Sequence, residues 1–116
     1  AALNTGATAC VAFNDLLAIG MLIRLKERNV RVPEDMSIVG CDDIFGADFC
    51  NPPLTTLTAP VEQAARLSVS MLLDRLQSER IGAGALNRRH IAALPTHLTV
   101  RESTGSAPRR TPGGEP

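Results

Sequence analysis

An unbroken apolar run, Ala9–Phe13, is the first clear pattern along the chain. A run of this length without alternating polar positions is typical of a strand that is buried on both faces of a parallel sheet. The run ends at Asn14 and Asp15, and either residue suits the N-cap of the helix that the next segment, Leu16–Arg28, predicts. Asn29 suits the left-handed residue that ends such a helix.

A second short apolar run, Ser37–Cys41, follows a turn that Val32–Asp35 predicts, and it ends at Asp42 and Asp43. Strand, helix and strand in this order predict a β-α-β unit with parallel strands and a right-handed crossover. We therefore expect an α/β fold in which helices flank a parallel sheet.

The middle of the chain predicts one more strand and one more helix. Leu54–Thr58 is expected to be extended because prolines lie on both sides of it. A helix is expected over residues 60–77. Apolar and small residues at helical spacing form its expected inward stripe, which consists of Val61, Ala65, Ser68, Val69, Leu72, Leu73 and Leu76.

The last part of the chain predicts loops and short strands. Residues 78–89 are polar and contain glycine, which predicts a loop, and His90–Leu94 is expected to form a short strand. His97–Arg101 alternates apolar and polar positions, which predicts an edge strand with Leu98 and Val100 inward.

Composition narrows the class of protein. Residues 105–116 hold three Gly, three Pro and no large apolar side chain, so we expect a disordered tail after one domain over residues 1–104. The chain has 12 Lys+Arg, 12 Asp+Glu, no Trp and no Tyr, which disfavours a nucleic-acid face. No apolar stretch approaches the roughly 20 residues that cross a bilayer, so we expect no membrane association and a cytoplasmic location.

Polar side chains follow both strands of the β-α-β unit. Ligands of parallel α/β sheets bind beyond the carboxyl ends of the strands, where Asn14 and Asp42 are expected to share one cleft. An amide and a carboxylate suit the hydroxyls or ring N–H groups of an uncharged ligand. For Asn14 and Asp42 the pattern leaves binding and a structural role open, whereas for Asp15 and Asp43 it favours capping of the segments that follow.

Other chemistries find little support in the sequence. Asp42, Asp43 and Asp48 could together hold Mg²⁺, but phosphoryl chemistry also needs a nearby cation, and Lys26 is the chain's single lysine. Cys10, Cys41 and Cys50 contain no C-x-x-C, so neither a disulfide framework nor a zinc site is indicated. No nucleophile elbow or catalytic triad is present. We expect neither an enzyme nor a cofactor or metal site.

The first half of the predicted first helix, Leu16–Ile23, has no polar side chain on any face. One face can cover the sheet, and the other needs a further element or a second subunit. The residues expected at such a subunit interface are Ile19, Leu22, Ile23, Phe49 and Cys50. A helix enclosed wholly within one subunit is the alternative.

Several motifs, in a fixed order, resemble the C-terminal part of LacI/GalR-family transcriptional repressors. They are Val11–Gly20, Val32–Asp43, Pro52–Thr56, Leu94–Leu98 and Val100–Thr104. The resemblance implies the periplasmic-binding-protein-like sensor fold, with two α/β lobes and a sugar or nucleoside-type effector between them. It also implies effector contacts at Asn14 and Asp42, with Phe13 as a wall of the pocket, and dimerisation around Ile19, Ile23 and Cys50.

The chain also departs from the family pattern. Cys41 stands where an aromatic residue is usual before the two aspartates, and Asn29 stands where glycine is usual. The helix-turn-helix and most of the N-terminal lobe are not in these 116 residues. We therefore expect a partial chain that reaches operator DNA only through a missing N-terminal domain. A periplasmic-type sugar-binding receptor for transport, which shares the fold, is the alternative.

Overall fold

The computed structural model describes residues 5–80 and 91–108. Its elements along the chain are β1 (Ala9–Val11), α1 (Asp15–Glu27), β2 (Ser37–Cys41), β3 (Thr55–Thr58), α2 (Val61–Arg80) and β4 (His97–Thr99). The described chain divides into a first compact unit, residues 5–58 and 97–108, and a second unit, residues 59–80 and 91–96. The α/β class is confirmed.

The first unit is built on one sheet with strand order β1-β2-β3-β4. β1 pairs with β2 and β2 pairs with β3, both in parallel, whereas β4 runs antiparallel to β3. The predicted β-α-β arrangement of neighbouring parallel strands is therefore confirmed. One prediction about β1 is wrong: it lies at an edge of the described sheet, and Val11 is 76% exposed rather than buried.

Helix α1 spans Asp15–Glu27, so each end lies one residue before the predicted Leu16 and Arg28. Asn14 is its N-cap: the backbone is extended, and the side-chain Oδ1 accepts the Leu17 N–H at 2.9 Å. Asp15 occupies the first turn, where negative charge is favoured, and Arg24 and Lys26 lie in the last turn. Asn29 has a φ of 56°, the left-handed conformation that was predicted to end the helix.

The core of the first unit lies between α1 and the sheet. Residues of α1 and β2 pack there together with residues of the connecting loops, namely Ala12, Ala18, Leu22, Leu25, Met36, Ile38, Ala47 and Leu54. In β2, Ile38 and Gly40 are buried while their neighbours are half-buried, so this strand covers the core with one face. Cys10, Cys41 and Cys50 are free thiols.

The side chains of β4 point to the opposite sides of the sheet from those predicted. Leu98 and Val100 are 51% and 68% exposed, whereas Thr99 is half-buried. The reason is hydrogen bonding, because the Thr99 hydroxyl meets the Thr58 hydroxyl of β3. The alternating pattern predicted that the apolar side chains point inward. The hydrogen bond between the two threonine hydroxyls turns Thr99 inward instead.

The second unit contains α2, which extends three residues beyond its predicted end. The Pro60 carbonyl accepts the Ala64 N–H at 2.9 Å, and two ion pairs at i,i+4 spacing lie along the exposed surface of the helix, Glu62–Arg66 and Arg75–Glu79. No residue of α2 is buried, so the predicted inward stripe is uncovered within the described residues.

Several expectations for the later part of the chain are only partly tested. Residues 91–94 form no strand, which contradicts the strand predicted at His90–Leu94, while His90 itself lies outside the described residues. The predicted loop begins later than expected, since residues 78–80 are helical and 81–89 lie outside the described residues. Of the predicted tail, only residues 105–108 are described. Neither helix in the described part of the chain is long and apolar enough to span a bilayer.

Candidate functional site

The carboxyl ends of β1, β2 and β3 meet at one edge of the sheet. Val11 of β1 is the register partner of Val39, and Cys41 at the end of β2 is the partner of Leu57. The segments that follow β1 and β2 therefore start from the same edge, as parallel pairing requires. This arrangement was expected for Asn14 and Asp42 from the order of strands and helix along the chain.

After β1, Phe13 and Asn14 present two different groups at this edge. The Phe13 ring is 85% exposed. The Asn14 Oδ1 caps α1, so the amide Nδ2, which is a donor, is the group left for a ligand. The structure therefore shows the capping role of Asn14, and a binding role remains a prediction.

After β2, the chain turns through two aspartates with positive φ, 106° at Asp42 and 52° at Asp43. The Asp42 N–H donates to the Leu57 carbonyl at 3.0 Å, and the exposed Asp42 carboxylate accepts a weak bond from the Cys41 thiol at 3.5 Å. A backbone that is fixed in place therefore carries a carboxylate that is exposed to solvent.

Asp43 faces inward and is paired. Its Oδ1 accepts from Arg101 at 2.8 Å, and its Oδ2 accepts from the Thr58 hydroxyl at 3.0 Å. The Arg101 guanidinium holds the pKa of the Asp43 carboxyl below its ordinary value; partial burial opposes this shift and the Thr58 hydroxyl reinforces it. The sequence favoured a cap of the following segment at Asp43, but both carboxylate oxygens accept instead from Arg101 and Thr58, so the structural role is a different one.

Asp15 is fully buried and connects three segments of the first unit. Its Oδ1 accepts from the Thr56 hydroxyl at 2.6 Å, and its Oδ2 accepts from the Ile44 N–H at 2.9 Å. Gly40 makes room for this carboxylate, because a Cβ there would lie 2.0 Å from Oδ1. Asp15 was predicted to cap the helix. It lies instead in the first turn of α1 and bridges to the sheet, and Asn14 is the cap.

Residues 101–104, which follow β4, contribute contacts that the sequence analysis missed. The buried Ser103 hydroxyl donates to the Ile38 carbonyl at 2.6 Å and accepts the Thr55 N–H at 2.8 Å. Arg101 donates to the Leu54 carbonyl as well as to Asp43. In the sequence these residues belong to the motif Val100–Thr104, which gave no indication of the contacts that they make.

Metal binding finds no support in the described residues. No group of three or more His, Cys, Asp or Glu side chains converges within residues 5–80 and 91–108. Of the three aspartates considered for Mg²⁺, Asp43 is paired with Arg101, and Asp48 is exposed. Chiefly because of burial, the pKa values of Cys41 and Cys50 are raised, so neither thiol is an activated nucleophile.

A second candidate surface lies along α1. A groove of about 530 Å³ is lined by Ile19, Ile23, Lys26, Glu27, Cys50 and Asn51. Phe49 is 65% exposed and meets Phe45 edge to face, with ring centroids 5.0 Å apart. Leu22, which the sequence placed on the interface, is corrected: it is 3% exposed and packs into the core beside Leu25, so it does not face a partner.

Comparisons with known proteins agree with this geometry. Residues 2–104 match the family described as periplasmic binding protein-like domain. The chain is similar to the HTH-type transcriptional repressor CytR of Escherichia coli, with 36% identity over 101 residues. This alignment covers 87% of the chain and 28% of CytR, so the chain spans less than a third of that relative's length.

Solved structures of LacI-type regulators share the fold. A LacI family regulator from Enterococcus faecium with bound ribose is 34% identical, with a TM-score of 0.72, and the match covers 93% of this chain and 37% of that one. The Lac repressor dimer bound to operator and the anti-inducer ONPF is 32% identical, with a TM-score of 0.71, and the match covers 90% of this chain and 35% of that one.

Proposed function

Because the chain belongs to the periplasmic binding protein-like domain family, as part of an effector-binding domain of the LacI/GalR type, we propose that it senses a small-molecule effector within a transcriptional repressor. Effector binding would bias the conformation of the whole repressor and so its affinity for DNA. This is a binding function rather than a catalytic one, and it requires no cofactor.

One observation carries the proposal: the exposed Asp42 carboxylate is held on an anchored turn at the sheet edge from which Phe13 and Asn14 also project. Asp42 accepts hydrogen bonds, the Asn14 amide donates them, and the exposed Phe13 ring offers an apolar face. This combination fits a ligand that carries hydroxyl groups on a small ring, that is, a sugar or a nucleoside. The ribose bound to the Enterococcus faecium regulator supports the same class.

The test is effector binding by the intact protein that contains this chain. Ribose, glucose, adenosine and uridine are titrated calorimetrically, and the tightest binder is kept as the probe. Asp42→Ala is expected to weaken binding of that probe at least tenfold, because it removes a charged acceptor. The melting temperature should stay close to that of the unmodified protein, since the Asp42 side chain is exposed.

The matched control is Asp48→Ala, which removes an exposed carboxylate from the loop after the turn. It is expected to leave the affinity for the probe unchanged. Equal affinities for the Asp42 and Asp48 variants would remove Asp42 from the site. The transport-receptor alternative is not favoured, because the proteins that this chain resembles are transcriptional regulators.

We further propose that the groove along α1 is the homodimer interface, formed by Ile19, Ile23 and Cys50 together with Phe49. The dimeric state of the similar Lac repressor supports this assignment. Ile19→Glu is expected to convert a dimer into monomers, because it places a charge in an apolar contact. Leu17→Glu is the control: it is the same change on the same helix, at an exposed position that does not line the groove.

The oligomeric state of the two variants is measured by sedimentation of the intact protein. A monomer with Ile19→Glu and a dimer with Leu17→Glu support the interface, while a dimer with both variants contradicts it. We also propose that the whole protein binds operator DNA through residues outside this chain. The 12 basic and 12 acidic residues of the chain itself balance, which disfavours a DNA-binding face on it. A DNA-binding role implies a cytoplasmic location and no membrane partner.

A further inference from the structure

The turn after β2 has an unusual backbone. Asp42 and Asp43 are consecutive non-glycine residues with positive φ, and the value of 106° at Asp42 lies outside the small left-handed region that L residues adopt. Asp43, at 52°, lies inside that region, which aspartate tolerates better than most residues do. Such a conformation persists only where the surrounding contacts hold it, and it is typical of functional sites.

Hydrogen bonds donated by backbone N–H groups hold the turn on both sides of Asp43. Before it, the Asp42 N–H donates to the Leu57 carbonyl of β3 at 3.0 Å. After it, the Ile44 N–H donates to the Asp15 carboxylate of α1 at 2.9 Å. These two bonds fix the two ends of the turn. Neither of them involves the peptide group that joins Asp42 to Asp43.

The Asp43 side chain supplies the third anchor, and it is the one formed by an ion pair. Arg101 donates through one nitrogen to Asp43 Oδ1 and through the other to the Leu54 carbonyl, each at 2.8 Å. The Arg101 and Asp43 side chains are 20% and 22% exposed, so solvent screens the pair only partly. The Arg101 N–H also donates to the Thr55 hydroxyl at 2.9 Å, which fixes the base of the side chain.

We propose that Arg101 is a positioning residue for effector binding, which acts through Asp43 to hold the Asp42 carboxylate in its binding orientation. Arg101 reaches two segments with one planar fork, a geometry that lysine cannot reproduce. If the ion pair is lost, Asp43 is free to leave its left-handed conformation, and the strained Asp42 backbone relaxes with it. The inference rests on the proposed function, since it assigns Asp42 to the effector.

The first readout needs no effector. The amide hydrogen of Asp42 is protected by the Leu57 carbonyl, so its exchange with solvent reports on the turn directly. In the intact protein, Arg101→Gln is expected to speed exchange at Asp42 while leaving exchange at Ala12 unchanged. The Ala12 N–H donates to the Val39 carbonyl at 2.8 Å elsewhere in the same sheet and serves as the internal control.

The second readout is affinity for the probe sugar or nucleoside that binds the unmodified protein. Arg101→Gln is expected to weaken binding about tenfold. Substitutions of residues that do not touch the ligand have effects of this size. In an Asp42→Asn background the same change is expected to have little further effect, because the orientation that Arg101 maintains no longer presents a carboxylate. A purely structural role would weaken binding equally in both backgrounds.

Two further variants keep the test informative if Arg101→Gln folds poorly. Arg101→Lys retains the charge but meets only one of the two acceptors, so an intermediate affinity is expected. Asp43→Asn removes the charge but keeps a residue that tolerates the left-handed conformation, and it should make the Arg101 substitution silent. Additive effects of the two substitutions on affinity would overturn the proposal.

The outcomes separate this inference from the proposed function. If none of the probe sugars or nucleosides binds, the proposed effector class fails, and exchange at Asp42 alone decides the role of Arg101. Unchanged Asp42 exchange in Arg101→Gln overturns the positioning role whether or not a probe binds. Faster exchange combined with an affinity loss that depends on Asp42 supports both proposals.

Discussion

Gly40→Ala tests whether the space that Gly40 leaves is needed for the buried Asp15 carboxylate. A Cβ at position 40 would lie 2.0 Å from Asp15 Oδ1 and 2.9 Å from Leu54 Cδ2. The leucine methyl is the end of a flexible side chain and can move aside. The carboxylate cannot, because it accepts from the Thr56 hydroxyl and the Ile44 N–H and is fully buried.

The magnitude follows from the bonds that the carboxylate would lose. A shift large enough to clear the new methyl group breaks the 2.6 Å bond with Thr56, and a hydrogen bond to a charged group contributes about 1.5–3 kcal/mol. The displaced carboxylate also remains in a buried environment, which adds about 1–3 kcal/mol per unsatisfied group. The gain from removing a glycine is about 0.4–1 kcal/mol. Together these ranges give a net loss of about 1.5–5.5 kcal/mol, a large share of the roughly 5–15 kcal/mol that stabilises a domain.

The assay is urea denaturation followed by far-ultraviolet circular dichroism, since the chain has no Trp or Tyr. Gly20→Ala is the matched control, because a Cβ there meets nothing within 4 Å in the middle of α1. It should raise the free energy of unfolding by about 0.5–1 kcal/mol. The same substitution thus has opposite signs at the two positions.

A double-variant cycle identifies the clash. In an Asp15→Ala background, Gly40→Ala is expected to cost at least about 1 kcal/mol less than it does alone. If its cost is the same with and without the Asp15 carboxylate, the reasoning is refuted and the leucine contact or the backbone must be the cause. A Gly40→Ala protein as stable as the unmodified one would refute it as well.

Three further predictions concern polar groups of the first unit. Asp35, whose pKa is lowered to about 2 chiefly by its hydrogen bond with Arg31, should titrate near that value by NMR and return towards about 3.9 in Arg31→Gln. The lowered pKa of Asp43 implies stability that is fully present above pH 4 or so and is lost as the pH falls through its folded value; acid titration of the melting temperature should flatten in Asp43→Asn. Ser103→Ala should lower the free energy of unfolding by about 2–3 kcal/mol in urea denaturation, because it leaves the buried Thr55 N–H without its acceptor.

The elements that the sequence predicted well depend on short-range rules. Asn14 caps α1 through a contact three residues away, and Asn29 adopts the left-handed conformation locally. β2 matches its predicted bounds because its apolar run is short and has polar residues at its end. The placement of Asn14 and Asp42 at one sheet edge followed from parallel pairing of neighbouring strands, a strong topological regularity.

The parts that the sequence could not give depend on contacts between distant residues. Asp15 and Thr56 are 41 positions apart, and Arg101 and Asp43 are 58 apart, so no local pattern indicates either pair. The facing of β4 was predicted wrongly for the same reason, since the Thr58 partner of Thr99 belongs to another strand. Leu22 was placed on an interface because α1 is apolar all round, and periodicity cannot say which side of such a helix covers the sheet.

The register of β3 and β4 has a consequence for how the protein can be divided. Thr58 and His97 are direct partners, so the chain leaves the first unit and re-enters it on adjacent strands, about 5 Å apart in the hydrogen-bonding direction. Residues 59–96 are therefore an insertion at the tip of what would otherwise be an ordinary hairpin. A two-residue Asn-Gly turn is long enough to join the two ends, and such a shortened polypeptide would keep β1, α1, β2, β3 and β4 on one continuous, uninterrupted chain path.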